Sequence, residues 1–199
     1  MIALIDYKAG NLTSVRKALA AVGADVFTPE EPRELANARG IIVPGVGHFS
    51  ATHVLNGAWT DAILDRVGNG RPLLGICLGM QWLYETSEEA PELRGLGLFG
   101  GCCYRLAGQQ GVKIPHVGWN SLEKQRDESI VDGVPDKAQV YFTHSFAAPI
   151  TSETVAATTH GETFASIVQR GQVAGVQFHP EKSSDVGLQI LRNFLATAA

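Results

Sequence analysis

Three residues in two short stretches have the types and spacing to do chemistry. The first stretch is "RPLLGICLGMQ", residues 71–81, in which Cys77 lies between Gly75 and Gly79 at the end of the apolar run Leu73-Leu74-Gly75-Ile76. That is the spacing of a nucleophile elbow with cysteine in place of serine. A sharp strand-to-helix turn holds its central residue in a strained conformation, and small flanking residues let neighbouring backbone come close. A thiol there also sits at a helix amino terminus, whose partial positive charge favours thiolate. The backbone N–H of Leu78 would point at a carbonyl oxygen under attack, giving half of an oxyanion hole. Read alone, Cys77 is equally a small buried hydrophobe at the end of a strand.

A nucleophile of this kind needs a base. The second stretch, "VAGVQFHPEKSS", ends a strand-like run at His179-Pro180-Glu181. Proline pushes the residue before it toward extended backbone, where positions i and i+2 share a side. His179 and Glu181 therefore face one way, with the carboxylate placed to accept an imidazole N–H. The other ring nitrogen is then free to take a thiol proton, which is the logic of a nucleophile, a base and an orienting acid. The plainer explanation is a strand-ending turn with a surface histidine and a solvated glutamate. In open α/β folds ligands bind at the carboxyl ends of strands, and both stretches sit at such ends.

The elements that must position them alternate. "IALIDY" reads as a strand and "NLTSVRKALAAVG" as a helix with Asn11 as cap and Gly23 as stop. "ADVFT" is a strand, "EPRELAN" a short helix and "GIIVPG" a strand. A longer helical stretch around "FSATHVLNGAWTDAILDRVGNG" leads to the strand "PLLGI", and "CLGMQWLYETSEE" follows as a helix. The alternation predicts a mostly parallel sheet flanked by helices. From Gly95 to Gln177 short strands and turns dominate, read as an antiparallel extension of that sheet. "SSDVGLQILRNFLATA" closes the chain as an amphipathic helix. With 199 residues and no internal repeat or long linker, the expectation is an α/β fold in a single domain over residues 1–199.

Composition narrows the function classes. Net charge is -4, from 16 basic and 20 acidic residues, which lacks the basic footprint of a nucleic-acid binder. No apolar run reaches the roughly 18 residues of a membrane span, and the amino terminus has no signal-peptide pattern. The three cysteines, Cys77, Cys102 and Cys103, suit a reducing cytoplasm and show no zinc spacing.

Together these motifs make the chain resemble the class I, triad-type glutamine amidotransferases. Among them it is similar to the glutaminase subunits of imidazole glycerol phosphate synthases of histidine biosynthesis. "IDYKAGNLTSVRKAL", "PGVGHF", "LLGICLGMQWLYETSEE", "KIPHVGWN", "YFTHSF" and "GVQFHPEKSSDVGLQILRNF" carry the resemblance. It implies that Cys77 attacks the side-chain amide of glutamine, that His179 shuttles the proton and activates water, and that Glu181 orients His179. Leu78 and the Pro44–Gly47 loop, through Val46 and Gly47, would form the oxyanion hole, with a loop peptide that rotates on activation. Gly47, Gln81, Glu89, His144 and Ser145 match positions near the substrate. Glu89 suits the α-ammonium by charge.

The resemblance also implies a separate (β/α)₈-barrel cyclase that receives the ammonia and makes imidazole glycerol phosphate and an aminoimidazole carboxamide ribotide. Asn11, Trp119, Tyr141 and Lys182 match its interface and gate positions. No cofactor or metal is implied. Two departures stand out: Lys8 replaces a common glycine in "DYKAGN", and "FGGCCYRL" carries paired cysteines. The alternatives are a glutaminase subunit for anthranilate, aminodeoxychorismate or pyridoxal phosphate synthesis, a non-amidase thiol protein such as a redox sensor or cysteine hydrolase, and a non-catalytic binding subunit.

Overall fold

The computed structural model describes residues 1–10, 12–108 and 111–198. The strand β1 (Ile2–Leu4) leads through α1 (Leu12–Ala21) to β2 (Val26–Phe27). A 3₁₀ turn over Pro32–Asn37 precedes β3 (Gly40–Val43), and a second over Phe49–Leu55 precedes α2 (Ala58–Gly68). Then come β4 (Leu73–Ile76), α3 (Leu78–Trp82), β5 (Tyr84–Ser87) and β6 (Phe99–Arg105). β7 (His116–Ser121), β8 (Glu123–Lys124), β9 (Gln139–His144) and β10 (Phe146–Ala147) follow. β11 (Thr154–His160), β12 (Glu162–Arg170), β13 (Val173–Val176) and α4 (Ser184–Thr197) complete the order.

Eight strands form the main sheet in the order β2-β1-β3-β4-β13-β12-β11-β8. The first five are parallel and the last three run antiparallel. Ile41 and Val43 pack to one face of β3 and Ile42 to the other, the period-two alternation of a sheet covered on both sides. One face carries Val15 and Leu19 of α1 with Ile190, Leu191 and Phe194 of α4. The opposite face carries Ile63 of α2 with Met80 and Trp82 of α3.

The expected architecture holds, with three corrections. Only β8, β11 and β12 extend the main sheet; β10-β6-β5 and β7-β9 are separate small sheets. The long helix expected after Cys77 stops at Trp82. Beyond it the carbonyls of Trp82, Leu83, Tyr84 and Glu85 accept backbone N–H groups of residues 95–99, so the chain continues as strand. The helix expected at "EPRELAN" is a 3₁₀ turn.

The departure at Lys8 has a local answer. Lys8 adopts a φ of 64°, the left-handed conformation for which glycine is the usual choice. The Asp6 carboxylate accepts from both its backbone N–H and its ammonium, each at 2.9 Å.

Candidate active site

β3, β4 and β13 are neighbours in the sheet, and the segments leaving their carboxyl ends carry Gly47, Cys77 and His179. Cys77 is the residue between β4 and α3, with φ 54° and ψ -109°. A non-glycine residue there is strained, and it persists because the surroundings leave it no room to relax. A β-carbon on Gly75 would lie 2.6 Å from the Gly79 carbonyl oxygen, and one on Gly79 would collide with the carbonyl of Val43. The two glycines flanking Cys77 therefore let the turn close on itself and press against β3.

His179 leaves β13 in extended backbone, φ -99° and ψ 100°. Its Nδ1 lies 2.9 Å from Glu181 Oε1, both side chains almost fully buried. The reason differs from the one the sequence suggests. Glu181 does not continue the extended chain but sits in a 3₁₀ turn over Pro180–Lys182 that folds its carboxylate back to the ring. Burial pulls the His179 pKa down, but the neighbouring Cys77 sulfur and the hydrogen-bonded Glu181 carboxylate push it up to about 9. Among the described residues His179 Nε2 has no hydrogen-bond partner. The arrangement sets an imidazole that readily takes up a proton beside the Cys77 sulfur.

A cavity of about 210 Å³ opens at Cys77, lined by Gly47, Leu78, Gln81, Glu89, His144, Ser145 and their neighbours. Every residue expected near the substrate thus reaches one space. Gln81 is buried on α3, where its Nε2 donates to Phe146 O at 2.8 Å and Gln177 Oε1 at 3.1 Å. With both protons used inside the protein, Gln81 offers a ligand only an acceptor oxygen. Glu89 lies in the turn after β5 rather than on the helix, and its Oε2 accepts the Phe49 N–H at 2.7 Å. Pro115, Thr143 and Phe146 also line the cavity. Sequence reasoning passed over them, although they flank or sit within the "KIPHVGWN" and "YFTHSF" stretches.

The Leu78 and Val46 N–H groups expected to form an oxyanion hole are both engaged within the protein. Leu78 N–H donates to the Gly45 carbonyl at 3.3 Å, and Val46 N–H donates to Ala9 O at 3.2 Å. Gly47, with φ 102°, and Gly45, packed against the Tyr7 ring, bracket that peptide.

Of the expected interface residues, Trp119 and Tyr141 are direct partners across the β7–β9 ladder, with ring centroids 6.1 Å apart. Lys182 Nζ lies 5.7 Å from the centre of the Tyr141 ring. Trp119 is 53% exposed. Asn11 lies outside the described residues. Cys102 is exposed and Cys103 buried, both as free thiols.

A family model for "Glutamine amidotransferase class-I" matches residues 3–198, and the chain belongs to that family. Its relatives narrow the branch. It is 43% identical over 195 residues to imidazole glycerol phosphate synthase subunit HisH of Xanthomonas euvesicatoria, covering 98% of this chain and 96% of that protein. It is 44% identical over 197 residues to the HisH subunit of Bacillus cereus, covering 98% and 93%. The chloroplastic imidazole glycerol phosphate synthase hisHF of Arabidopsis thaliana is 42% identical over 201 residues, and the chain spans about a third, 34%, of its length. Among solved structures, one of a glutamine amidotransferase superimposes with a TM-score of 0.77 at 22% identity, covering 100% of this chain and 99% of that one. That likeness concerns the fold.

Proposed function

We propose that this chain is the glutaminase subunit of an imidazole glycerol phosphate synthase, with residues 1–199 acting as one glutaminase unit in the cytoplasm. The observation that carries the reading is the strained Cys77 beside a raised, carboxylate-bound His179 at the mouth of a cavity lined by Gln81 and Glu89. Relatives named as HisH subunits match over nearly their whole length, which favours this synthase over other amidotransferases.

In the proposed reaction Cys77 Sγ attacks the side-chain amide carbon of glutamine, and the carbonyl electrons move onto oxygen. Collapse breaks the C–N bond, and His179 delivers its proton to the departing ammonia. The glutamyl thioester is then attacked by water, with His179 taking the water proton and Sγ leaving as thiolate. Glu181 keeps the imidazole ring in place throughout. Glu89 suits the α-ammonium of glutamine, and Gln81 Oε1 an N–H donor from it. The tetrahedral oxygen requires donors, so the Gly45–Val46 peptide must first turn and release Leu78 N–H.

Free ammonia is protonated in neutral water, so the reading includes a separate (β/α)₈-barrel cyclase that receives it. The exposed Trp119 and Lys182, both set against the half-buried Tyr141 ring, are the proposed contact, with Asn11. The test is glutamate release by the purified chain and by Cys77→Ala, each alone and with the cyclase and its ribotide. The expected outcome is a faint rate alone, a steep rise with liganded cyclase and no activity in Cys77→Ala. A Cys77-dependent rate that ignores the cyclase would leave the amidase and remove the partner.

A further inference from the structure

Gln177 is fully buried behind the nucleophile, outside the cavity lining. Its Nε2 lies 3.7 Å from Cys77 Sγ, within reach of a sulfur hydrogen bond, and its Oε1 lies 3.1 Å from Gln81 Nε2. The polarity of these contacts is forced. The Phe146 carbonyl can only accept, so the Gln81 group 2.8 Å from it must be the NH₂. The second N–H of Gln81 then meets the Gln177 oxygen, which leaves the Gln177 NH₂ facing the sulfur.

The same carbonyl is approached from its other side by His144 Nδ1 at 2.8 Å, so that nitrogen carries a proton. His144 Nε2 then accepts from His116 Nδ1 at 3.0 Å, and His116 Nε2 from Asn120 Nδ2 at 3.3 Å. Burial holds both histidines neutral, His144 down to about 3 and His116 to about 4, as these tautomers require. One backbone carbonyl orders both chains. Turning any amide over would set two like groups against each other in the interior.

We propose that Gln177 is a further catalytic residue, whose side-chain N–H donates to the Cys77 thiolate and holds the sulfur toward the cavity. An amide suits this place because it takes up no proton from the thiol, a job left to His179. When Sγ attacks carbon, its negative charge passes to the carbonyl oxygen and the N–H···S contact weakens. When water cleaves the thioester, the C–S electron pair returns to sulfur and the contact is restored. Gln177 therefore favours both the starting thiolate and its departure in the second step. The substrate assignment rests on the glutaminase reading, whereas the thiolate contact is measurable without glutamine.

The test is alkylation of Cys77 by iodoacetamide across pH 5–10, read by mass spectrometry of its peptide in the full chain carrying Cys102→Ser. Gln177→Met, similar in length and without a donor, is expected to move the half-maximal pH up by about one unit. That slows alkylation several-fold at pH values below the new midpoint. Gln177→Glu, which keeps an acceptor for Gln81 but sets a carboxylate beside the sulfur, is expected to move it further. An unchanged profile in folded Gln177→Met overturns the proposal. If both variants fail to fold, the side-chain amide resonance of Gln177 in the ¹⁵N-labelled chain decides. A shift tracking the alkylation midpoint supports the contact, and a flat response overturns it. Normal thiolate behaviour without glutaminase activity in the parent chain would instead remove the substrate reading.

Discussion

Glu181 holds His179 through one carboxylate oxygen, while its Oε2 is buried with no hydrogen-bond partner among the described residues. The carboxylate's contribution is thus concentrated on a single contact, which fixes the ring and favours its protonated form. Glu181→Gln keeps the shape but lets the amide present its NH₂ to Nδ1, reversing the tautomer that frees Nε2 for the thiol. By analogy with other triads, glutamine turnover should fall by about 10²–10⁴-fold. KM should change little, because Glu181 lines no part of the cavity at Cys77. Steady-state kinetics of glutamate release at saturating cyclase separates the two. A large rise in KM with kcat unchanged would mean Glu181 contacts substrate.

At the scale of elements, the turn between β4 and α3 is held by close approach as well as by its own dihedrals. Gly79→Ala sets a methyl against the Val43 carbonyl in the strand next door, where no flexible side chain can yield. It should destabilise by about 3 kcal/mol or abolish folding, at the upper end of overpacking effects. Gly68→Ala is the counterpart, in the last turn of α2 with no heavy atom within 4 Å of the added carbon. There the substitution should stabilise by about 0.4–1 kcal/mol by restricting the unfolded chain. Urea midpoints of the two variants check both, and equal effects would refute the close-approach account. The flanking glycines were legible in the sequence because the pattern is local. The early end of α3 was not, because the groups that capture the carbonyls of residues 82–85 lie ten or more residues further on. Glu181 shows the same limit: the i, i+2 spacing correctly paired it with His179, yet a 3₁₀ turn, not an extended chain, delivers the contact.

Across the whole molecule the buried histidines set opposing responses to pH, and the sheet ties them together. His179 N–H donates to Tyr141 O at 2.9 Å, and Tyr141 N–H to Ser183 Oγ at 2.9 Å, so β9, which carries Tyr141 of the aromatic pair, is bonded directly to the segment that carries His179. The parallel sheet and the site's position at its carboxyl edge could be read from the alternating runs. The linked interior of Gln177, Gln81, His144 and His116 could not, since its members come from the segment after β13, α3, β9 and β7. His144 and His116 are held below the ordinary histidine range, so the unfolded chain binds more protons than the folded one below about pH 6.5. Their contribution rises with pH up to that point, by as much as ~1.4 kcal/mol per pH unit for each. His179 acts in the other sense: its folded pKa of about 9 makes its contribution complete below about pH 6.5 and progressively lost as pH rises through 9. Unfolding free energy should therefore peak near pH 6.5, falling more steeply on the acid side, where two histidines act, than on the alkaline side. Urea titrations from pH 4.5 to 9 measure the curve. His179→Asn should flatten the limb between pH 6.5 and 9 and leave the acid limb in place, and an unchanged alkaline limb in that variant would show that other groups set it.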